Sequence, residues 1–109
     1  MYAVKEGKVM INGRKVRVYG RAVLEKDTAL NAVAGTTGYR GKGREAGGRT
    51  YIKIDCCCGD FHFDPIVDED GTVTGIEIAC CGDDALDAVA KALRFMKETI
   101  DDQRFETNG

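Results

Sequence analysis

The chain lacks long hydrophobic runs. Although 43% of its 109 residues are hydrophobic, the uninterrupted apolar stretches are only a few residues long, as at residues 32–34. A membrane span needs about 20 consecutive apolar residues, and a secretory signal needs a continuous apolar region, so the sequence supports neither. We expect one soluble globular domain that binds no membrane and remains in the cytoplasm.

The sequence also lacks the cysteine spacing of a disulfide scaffold or a zinc site. Its five cysteines form two clusters of adjacent residues, 56–58 and 80–81. This odd number and this clustering are unlike a secreted disulfide framework and favour a reducing cytoplasm. Zinc ligands usually come from C-x₂₋₄-C pairs on turns, whereas these cysteines fall on predicted strands, where free cysteine packs as a small apolar residue. We therefore expect neither a metal nor a cofactor.

Histidine occurs once, at position 62, and it offers one catalytic arrangement. In the predicted strand register Cys57 lies opposite His62, which lies opposite Glu77, so that a thiol, an imidazole and a carboxylate form one row. No oxyanion donor or nucleophile-elbow motif lies nearby, and a slip of one residue would destroy the row. The sequence therefore favours a protein that is not an enzyme, with a cysteine-dependent enzyme as the last hypothesis.

Charge is divided between the two halves of the chain. Residues 1–54 carry twelve Lys and Arg against four acids, a net of +8, whereas residues 55–109 carry four against fourteen, a net of -10. Such segregation indicates either a basic surface for an anionic partner or head-to-tail contact between copies. If the two halves interleave in the fold, the charges neutralise each other instead. We expect a homo-oligomer, because contact between oppositely charged regions of neighbouring copies is favourable.

The first third of the sequence predicts a hairpin and a short helix. Asn12-Gly13 separates two alternating apolar runs, which is a strong signal for a tight hairpin turn between strands 2–11 and 14–24. This turn places Val9 opposite Val16 and Ile11 opposite Arg14. Asp27 or Thr28 can then cap a helix over 28–34, with Gly35 where a helix often ends.

The second half predicts a three-stranded meander followed by a long helix. Strands over 50–58, 61–67 and 72–81 are separated by a Gly59-Asp60 turn and by the acidic turn at 68–71. Nine apolar side chains then share one face of the meander: Ile52, Ile54, Cys56, Cys58, Phe61, Phe63, Ile76, Ile78 and Cys80. A helix over 83–102 is expected to cover this face with a stripe at three- and four-residue spacing: Leu86, Val89, Ala90, Leu93, Met96 and Ile100.

These elements predict a single α+β domain over residues 1–109. Its parts are the hairpin with the short helix (1–34), a loop (35–49), the meander (50–81) and the long helix (83–102). We expect a twisted, mainly antiparallel sheet of about five strands, with the long C-terminal helix packed on one face.

The loop over 35–49 reads GTTGYRGKGREAGGR, with six glycines in fifteen residues. Loops longer than about 12 to 15 residues are uncommon in compact domains unless they bind or gate. Glycine-rich backbone can direct N–H groups at an anion, and arginine can bind phosphate through two hydrogen bonds. A Walker A motif is excluded, and GKGREA matches a dinucleotide-binding pattern but precedes a strand instead of opening a helix. A solvated connection without a binding role is the alternative.

The sequence therefore predicts a non-enzymatic protein that captures a small phosphorylated, nucleotide-like ligand. The residues expected to bind it are Thr36, Thr37, Tyr39, Arg40, Lys42, Arg44 and Arg49. The alternative is a small inhibitor or adaptor, such as a phage counter-defence factor, that docks on a macromolecule through the basic loop or the acidic half. Direct nucleic-acid binding is a third hypothesis, which the acidic pI of about 5.4 disfavours.

Overall fold

A computed structural model of the protein describes residues 4–39 and 47–105. Within these ranges the elements are β1 (Lys5–Ile11), β2 (Arg14–Glu25), β3 (Thr28–Thr36), β4 (Thr50–Cys58), β5 (Phe61–Val67), β6 (Val73–Cys80) and α1 (Asp83–Arg104). Strands β1 to β4 form one antiparallel sheet in sequence order, and β5 and β6 form a separate two-stranded sheet. The predicted α+β class is confirmed, but six strands in two sheets replace the single sheet of about five.

The β1–β2 hairpin forms as its turn predicts. Asn12 and Gly13 both have positive φ, 46° and 79°, as a two-residue turn of this kind requires. Val9 lies opposite Val16, and Ile11 lies opposite Arg14. The turn residues alone therefore specified the register of this hairpin.

The predicted short helix over 28–34 is wrong, because this segment is the central strand β3. β3 pairs with β2 on one side and with β4 on the other, and its side chains alternate, with Leu30, Ala32 and Ala34 fully buried. A helix of seven residues is marginal on its own. Hydrogen bonds to two neighbouring strands and burial of one face outweigh that weak helix propensity.

The main core lies between the β2–β3 part of the sheet and α1, and alanines dominate it. Its buried members are Val23, Leu30, Ala32, Ala34, Ala88, Ala92 and Met96. The helix begins where predicted and extends two residues further, and Met96 of the predicted stripe is buried, but Leu86 and Leu93 are 62% and 56% exposed. Ala85, Ala88, Ala92 and Met96 form the buried side of the helix, and the two leucines lie to one side of it.

The predicted hairpin between β4 and β5 does not form. Gly59, with φ of 129°, directs the chain out of the sheet, and among the described strands β5 pairs with β6 alone. Phe63 lies opposite Ile78, whereas the predicted register, with His62 opposite Glu77, places Phe63 opposite Ile76. A shift of two residues keeps the same side chains on one face. We call the β5–β6 hairpin, residues 61–80, the arm.

The nine residues predicted to form the core therefore lie outside it. Ile54, Cys56 and Phe61 only flank the buried cluster, while Ile52 and Ile76 are 59% and 62% exposed. The reason is that α1 packs over β2 and β3 and leaves β4 and the arm to one side.

In the described part of the chain, no helix has the length and apolar character needed to cross a membrane.

Candidate functional site

The glycine-rich loop leaves and re-enters the sheet through a closed pair of segments. We call these segments, residues 36–39 and 47–50, the neck. Thr36 lies opposite Thr50, and their hydroxyl oxygens are 2.9 Å apart. One step further, the Thr37 N–H donates to the Arg49 carbonyl at 3.0 Å, and the Arg49 N–H donates to Thr37 Oγ1 at 2.9 Å. The neck is thus a hydrogen-bonded extension of the β3–β4 hairpin.

The last turn of α1 holds the neck in place through Gln103. This side chain is buried, its Oε1 accepts the Thr36 N–H at 3.0 Å, and its Nε2 donates to the Arg17 carbonyl at 2.9 Å. One amide thereby satisfies a donor of β3 and an acceptor of β2. Because buried polar groups are costly when unpaired, Gln103 couples the end of the helix to the base of the loop.

Two glycines of the loop are required by packing. A Cβ on Gly48 would lie 2.0 Å from the Gly38 carbonyl oxygen, so the two neck segments approach too closely for any side chain there. Gly38 itself has φ of 78°, and a Cβ on it would lie 3.3 Å from the Gln103 carbonyl oxygen. The glycine content that suggested anion binding is therefore explained in part by the shape of the neck.

A cleft of about 360 Å³ opens between the neck and the end of α1. Its lining residues are Thr36, Gly38, Tyr39, Gly47, Gly48, Thr50, Ile100 and Arg104. Tyr39 is 75% exposed, and its hydroxyl accepts a hydrogen bond from Arg104 Nη1 at 3.3 Å. An exposed aromatic ring beside a guanidinium group is suited to a flat ligand that carries negative charge.

The charges around the cleft are mixed. Asp101 is 2.6 Å from Lys97 Nζ through its Oδ2 and 3.1 Å from Arg104 Nε through its Oδ1. The hydrogen bond from Lys97, followed by the attraction of both cations, lowers the pKa of Asp101. Because α1 also ends here, its last carbonyl groups add negative potential. The helix side of the cleft therefore combines cationic side chains with negative groups.

The structure brings Thr36 and Tyr39 of the predicted binding residues to the cleft. Thr37 contributes to closing the neck through its hydroxyl. Three of the predicted residues, Arg40, Lys42 and Arg44, lie outside the described residues. Their role in binding stays a prediction.

Arg49, also predicted to bind the ligand, is tied to the backbone on two sides. Its Nε donates to the Ile11 carbonyl at 3.2 Å, and its Nη1 donates to the Gly47 carbonyl at 3.1 Å. These bonds join the neck to the end of β1. The side chain therefore has a structural role that the sequence did not suggest.

Sequence reasoning missed Arg104 and Ile100, which line the cleft from the helix side. Arg104 is 65 positions from Tyr39 along the chain, so no local motif links them. Arg104 lies two residues beyond the predicted end of the helix, and Ile100 was expected only as part of its apolar stripe. Only the docking of α1 on the neck brings these residues together.

The predicted row of thiol, imidazole and carboxylate does not form. His62 lies opposite Ala79 instead of Glu77, and Cys57 belongs to a different sheet. His62 Nε2 is 3.0 Å from Asp60 Oδ1, whereas Cys57 Sγ lies 2.9 Å from the side-chain amide of Asn31. The register shift of two residues and the departure of the arm separate the three groups.

All five cysteines are free, and two of them have perturbed thiols. Burial, followed by the neighbouring Cys58 and Cys57, raises the pKa of Cys56. The carboxylate of Asp60 raises the pKa of Cys81. Both thiols are thereby kept protonated and less nucleophilic. Among the described residues, no group of three or more potential metal ligands lies together.

The chain matches no protein-family model, no curated protein and no solved structure. Its function is therefore inferred from the chemistry of the cleft, whose aromatic wall, guanidinium group and glycine-lined opening are contributed by the neck and by the end of α1.

Proposed function

We propose that the protein is a non-enzymatic, cytoplasmic binding protein that captures a small phosphorylated, nucleotide-like ligand in the cleft at the base of its glycine-rich loop. The observation that carries this proposal is Tyr39, which is 75% exposed on a neck that is closed by hydrogen bonds. A flat ligand that covers this exposed ring removes apolar surface from water, which favours binding. The hydrogen bonds of the neck fix the backbone that carries the ring.

The ligand base stacks on Tyr39, and Ile100 supplies an apolar contact on the helix side of the cleft. Stacking of a base on an aromatic side chain contributes about 1–3 kcal/mol. Arg104 balances negative charge at the ring edge, while the phosphate groups extend towards the loop, where Arg40, Lys42 and Arg44 follow Tyr39 in the sequence. The cleft volume of about 360 Å³ falls within the range of roughly 300–1,000 Å³ typical of ligand pockets.

Two further observations support the cellular setting and the absence of catalysis. Five free cysteines, each of them next to another free cysteine in the chain, are suited to a reducing compartment. The arrangement of Cys57, His62 and Glu77 that suggested an enzyme is dispersed between two sheets. A binding role needs neither a nucleophile nor a base.

A thermal-shift screen with mono-, di- and cyclic nucleotides tests the proposal, with nucleosides and inorganic phosphate as partial ligands. A ligand at one hundred times its dissociation constant should stabilise the native chain by about 2.7 kcal/mol. Tyr39→Ala should weaken binding at least about tenfold, because the stacking contribution is lost. Met10→Ala is the control, since Met10 is an exposed apolar residue that does not line the cleft. Stabilisation by no phosphorylated compound would contradict the proposal.

The alternative function is an inhibitor or adaptor that docks on a macromolecule. It is favoured by the acidic segment over residues 54–90, which contains no Lys or Arg and includes the exposed arm. Such a protein would be unaffected by small molecules in the thermal-shift screen. Direct nucleic-acid binding would instead require a continuous basic surface, and strong salt dependence of the affinity would reveal it.

A further inference from the structure

The two outer edges of the four-stranded sheet are protected to different degrees. The edge strand β1 carries Lys5, Glu6 and Lys8 within seven residues, and charged side chains of this kind discourage pairing with another chain. The opposite edge strand β4 is nine residues long, contains no proline and carries only Lys53 and Asp55 as charged residues. Within the described residues no strand pairs with its outer side. β4 is therefore an edge that is open to another strand.

The helix side of this open edge is apolar and exposed. Ile52 is 59% exposed, because α1 packs on β2 and β3. The flank of α1 that faces β4 carries Val89, which contacts the core beside Ile54, together with the exposed Leu86 and Leu93. The opposite flank of the helix faces β2 and is charged. It carries Lys91, Arg94 and Glu98, which line a cavity together with residues of β2. An apolar strip thus runs along the β4 side of the helix.

The arm extends this apolar surface. Phe61 packs against the core cluster and stacks on Phe63 with 6.2 Å between the ring centroids, while Ile76 and Ile78 on the same face are exposed. A two-stranded hairpin is marginally stable when nothing covers it. The arm, the edge of β4 and the flank of α1 therefore leave one combined surface that another molecule would stabilise.

The sequence of β4 is complementary to itself in one antiparallel register. When two β4 strands pair around Ile54, Lys53 of each copy lies opposite Asp55 of the other copy. Ile52 lies opposite Cys56, and Ile54 lies opposite itself. Opposite charges directly across two strands are favourable, and the apolar side chains remain on the helix side of the joined sheet. A two-fold axis of this kind is the commonest symmetry of homodimers.

We propose that a second copy of the chain occupies this surface, so that two β4 edges pair around Ile54 and form one continuous eight-stranded sheet. The Leu86–Leu93 flanks and the arms then cover each other across the two-fold axis. In the same register Cys58 lies opposite Thr50 of the partner subunit, which lines the ligand cleft. Each arm therefore begins beside the cleft of the other copy, although the dimer does not depend on any ligand.

The mass of the native chain in solution is the first test, measured by light scattering and sedimentation. At about 100 μM, where a dimer of micromolar affinity is almost fully formed, we expect twice the chain mass of 11.8 kDa. A monomer at this concentration would overturn the proposal and would assign the surface to a different protein.

Charge reversal at the edge tests the register. Lys53→Glu and Asp55→Lys should each raise the dimer dissociation constant at least about tenfold, because each places two pairs of like charges across the interface. An equimolar mixture of the two variants should form a heterodimer, and the double variant should form a homodimer again. Lys15→Glu, on the exposed side of β2, is the control. A Lys53→Glu chain that dimerises like the native chain, or a mixture that stays monomeric, would overturn this register.

The helix flank is tested separately with Leu93→Glu, which should also raise the dissociation constant at least about tenfold, because it buries a charge in an apolar contact. Met10→Glu, at an equally exposed position on β1, should leave the dimer unchanged.

Asp55 accepts a hydrogen bond from Asn31 at 3.1 Å, so circular dichroism should confirm that Asp55→Lys is folded. Lys53→Glu and Leu93→Glu decide the proposal without that variant.

Discussion

The four-stranded sheet and the arm are both antiparallel and apolar on one face, yet only the sheet has a core. In the sheet, small side chains such as Ala32 and Ala34 are completely buried beneath α1. In the arm, the larger Ile76 and Ile78 remain exposed. Burial in this chain therefore follows the position of the helix, and large apolar side chains that lie away from it stay exposed.

The difference between the two regions depends on which strands α1 packs against. α1 has one stripe of buried alanines, at positions 85, 88 and 92, and it packs against a part of the sheet that contributes Val23, Leu30, Ala32 and Ala34 to the core. Close approach gives many favourable contacts between atoms. The face formed by β4 and the arm lies beyond this contact, and Ile52 and Ile76 on it remain exposed.

The largest contrast is expected from truncating one side chain in each region. Leu30→Ala in the sheet should lower the free energy of unfolding by about 2–5 kcal/mol, because Leu30 is fully buried and its loss leaves a cavity. Val73→Ala in the arm should change it by less than about 0.5 kcal/mol, as is usual for exposed positions. Urea unfolding of both variants measures the difference. Equal losses would show that the arm is as well packed as the sheet.

Adding a methyl group sharpens the same contrast. A Cβ on Gly35 would lie 2.3 Å from the Arg17 carbonyl oxygen, whereas one on Gly75 in the arm would lie 3.3 Å from the flexible end of Ile66. Gly35→Ala should therefore cost about 1–3 kcal/mol or more of stability through overpacking, and Gly75→Ala should cost less. Thermal unfolding of the pair is the measurement, and a harmless Gly35→Ala would contradict the close approach of β2 and β3.

The junction between the sheet and the neck is tested at Gln103. Gln103→Leu leaves the Thr36 N–H and the Arg17 carbonyl without their partner, which should cost about 1–3 kcal/mol. The amide proton of Thr36 should also exchange faster with solvent, since its hydrogen bond is lost. Asp102→Asn, at an exposed neighbouring position, serves as the control. Unchanged exchange at Thr36 would show that Gln103 does not hold the neck.

The smallest effect concerns the ion pairs at the end of α1. Lys97 and Arg104 lower the pKa of Asp101 from its ordinary value of 3.8. The stabilisation is therefore complete above that value and is lost as the pH falls through the lower pKa of the folded state. Asp101→Asn should remove this dependence, and added salt should weaken it because the groups are exposed. An NMR titration that places the Asp101 pKa above 3.8 would contradict these pairs.

Local signals in the sequence were sufficient for several elements. Asn12-Gly13 specified the first hairpin with its register, and the extents of β4 and β5 agree with the strands predicted there. The long helix was also predicted, within two residues at its end. These elements depend on backbone conformation and short-range periodicity, which neighbouring residues determine.

The candidate site was predicted in part. Thr36 and Tyr39 reach the cleft, whereas Arg104 joins them only because α1 docks on the neck. Gly38 and Gly48 were read as parts of an anion-binding loop, although their own contacts with the neck and with α1 require glycine. Contacts between residues so distant in sequence leave no local pattern. A glycine required by close packing also looks the same in the sequence as a glycine in an anion-binding loop.

The sequence by itself determined the fold class, the first hairpin, the long helix and the separation of charge along the chain, because each depends on composition or on residues close together. Tertiary structure decided that residues 28–36 form a central strand, that the arm leaves the sheet after Gly59, and that alanines make up four of the seven buried residues of the main core. These outcomes depend on which surfaces fit together most closely. Apolar periodicity shows that a face can be buried, but the shape of the facing element decides whether it is.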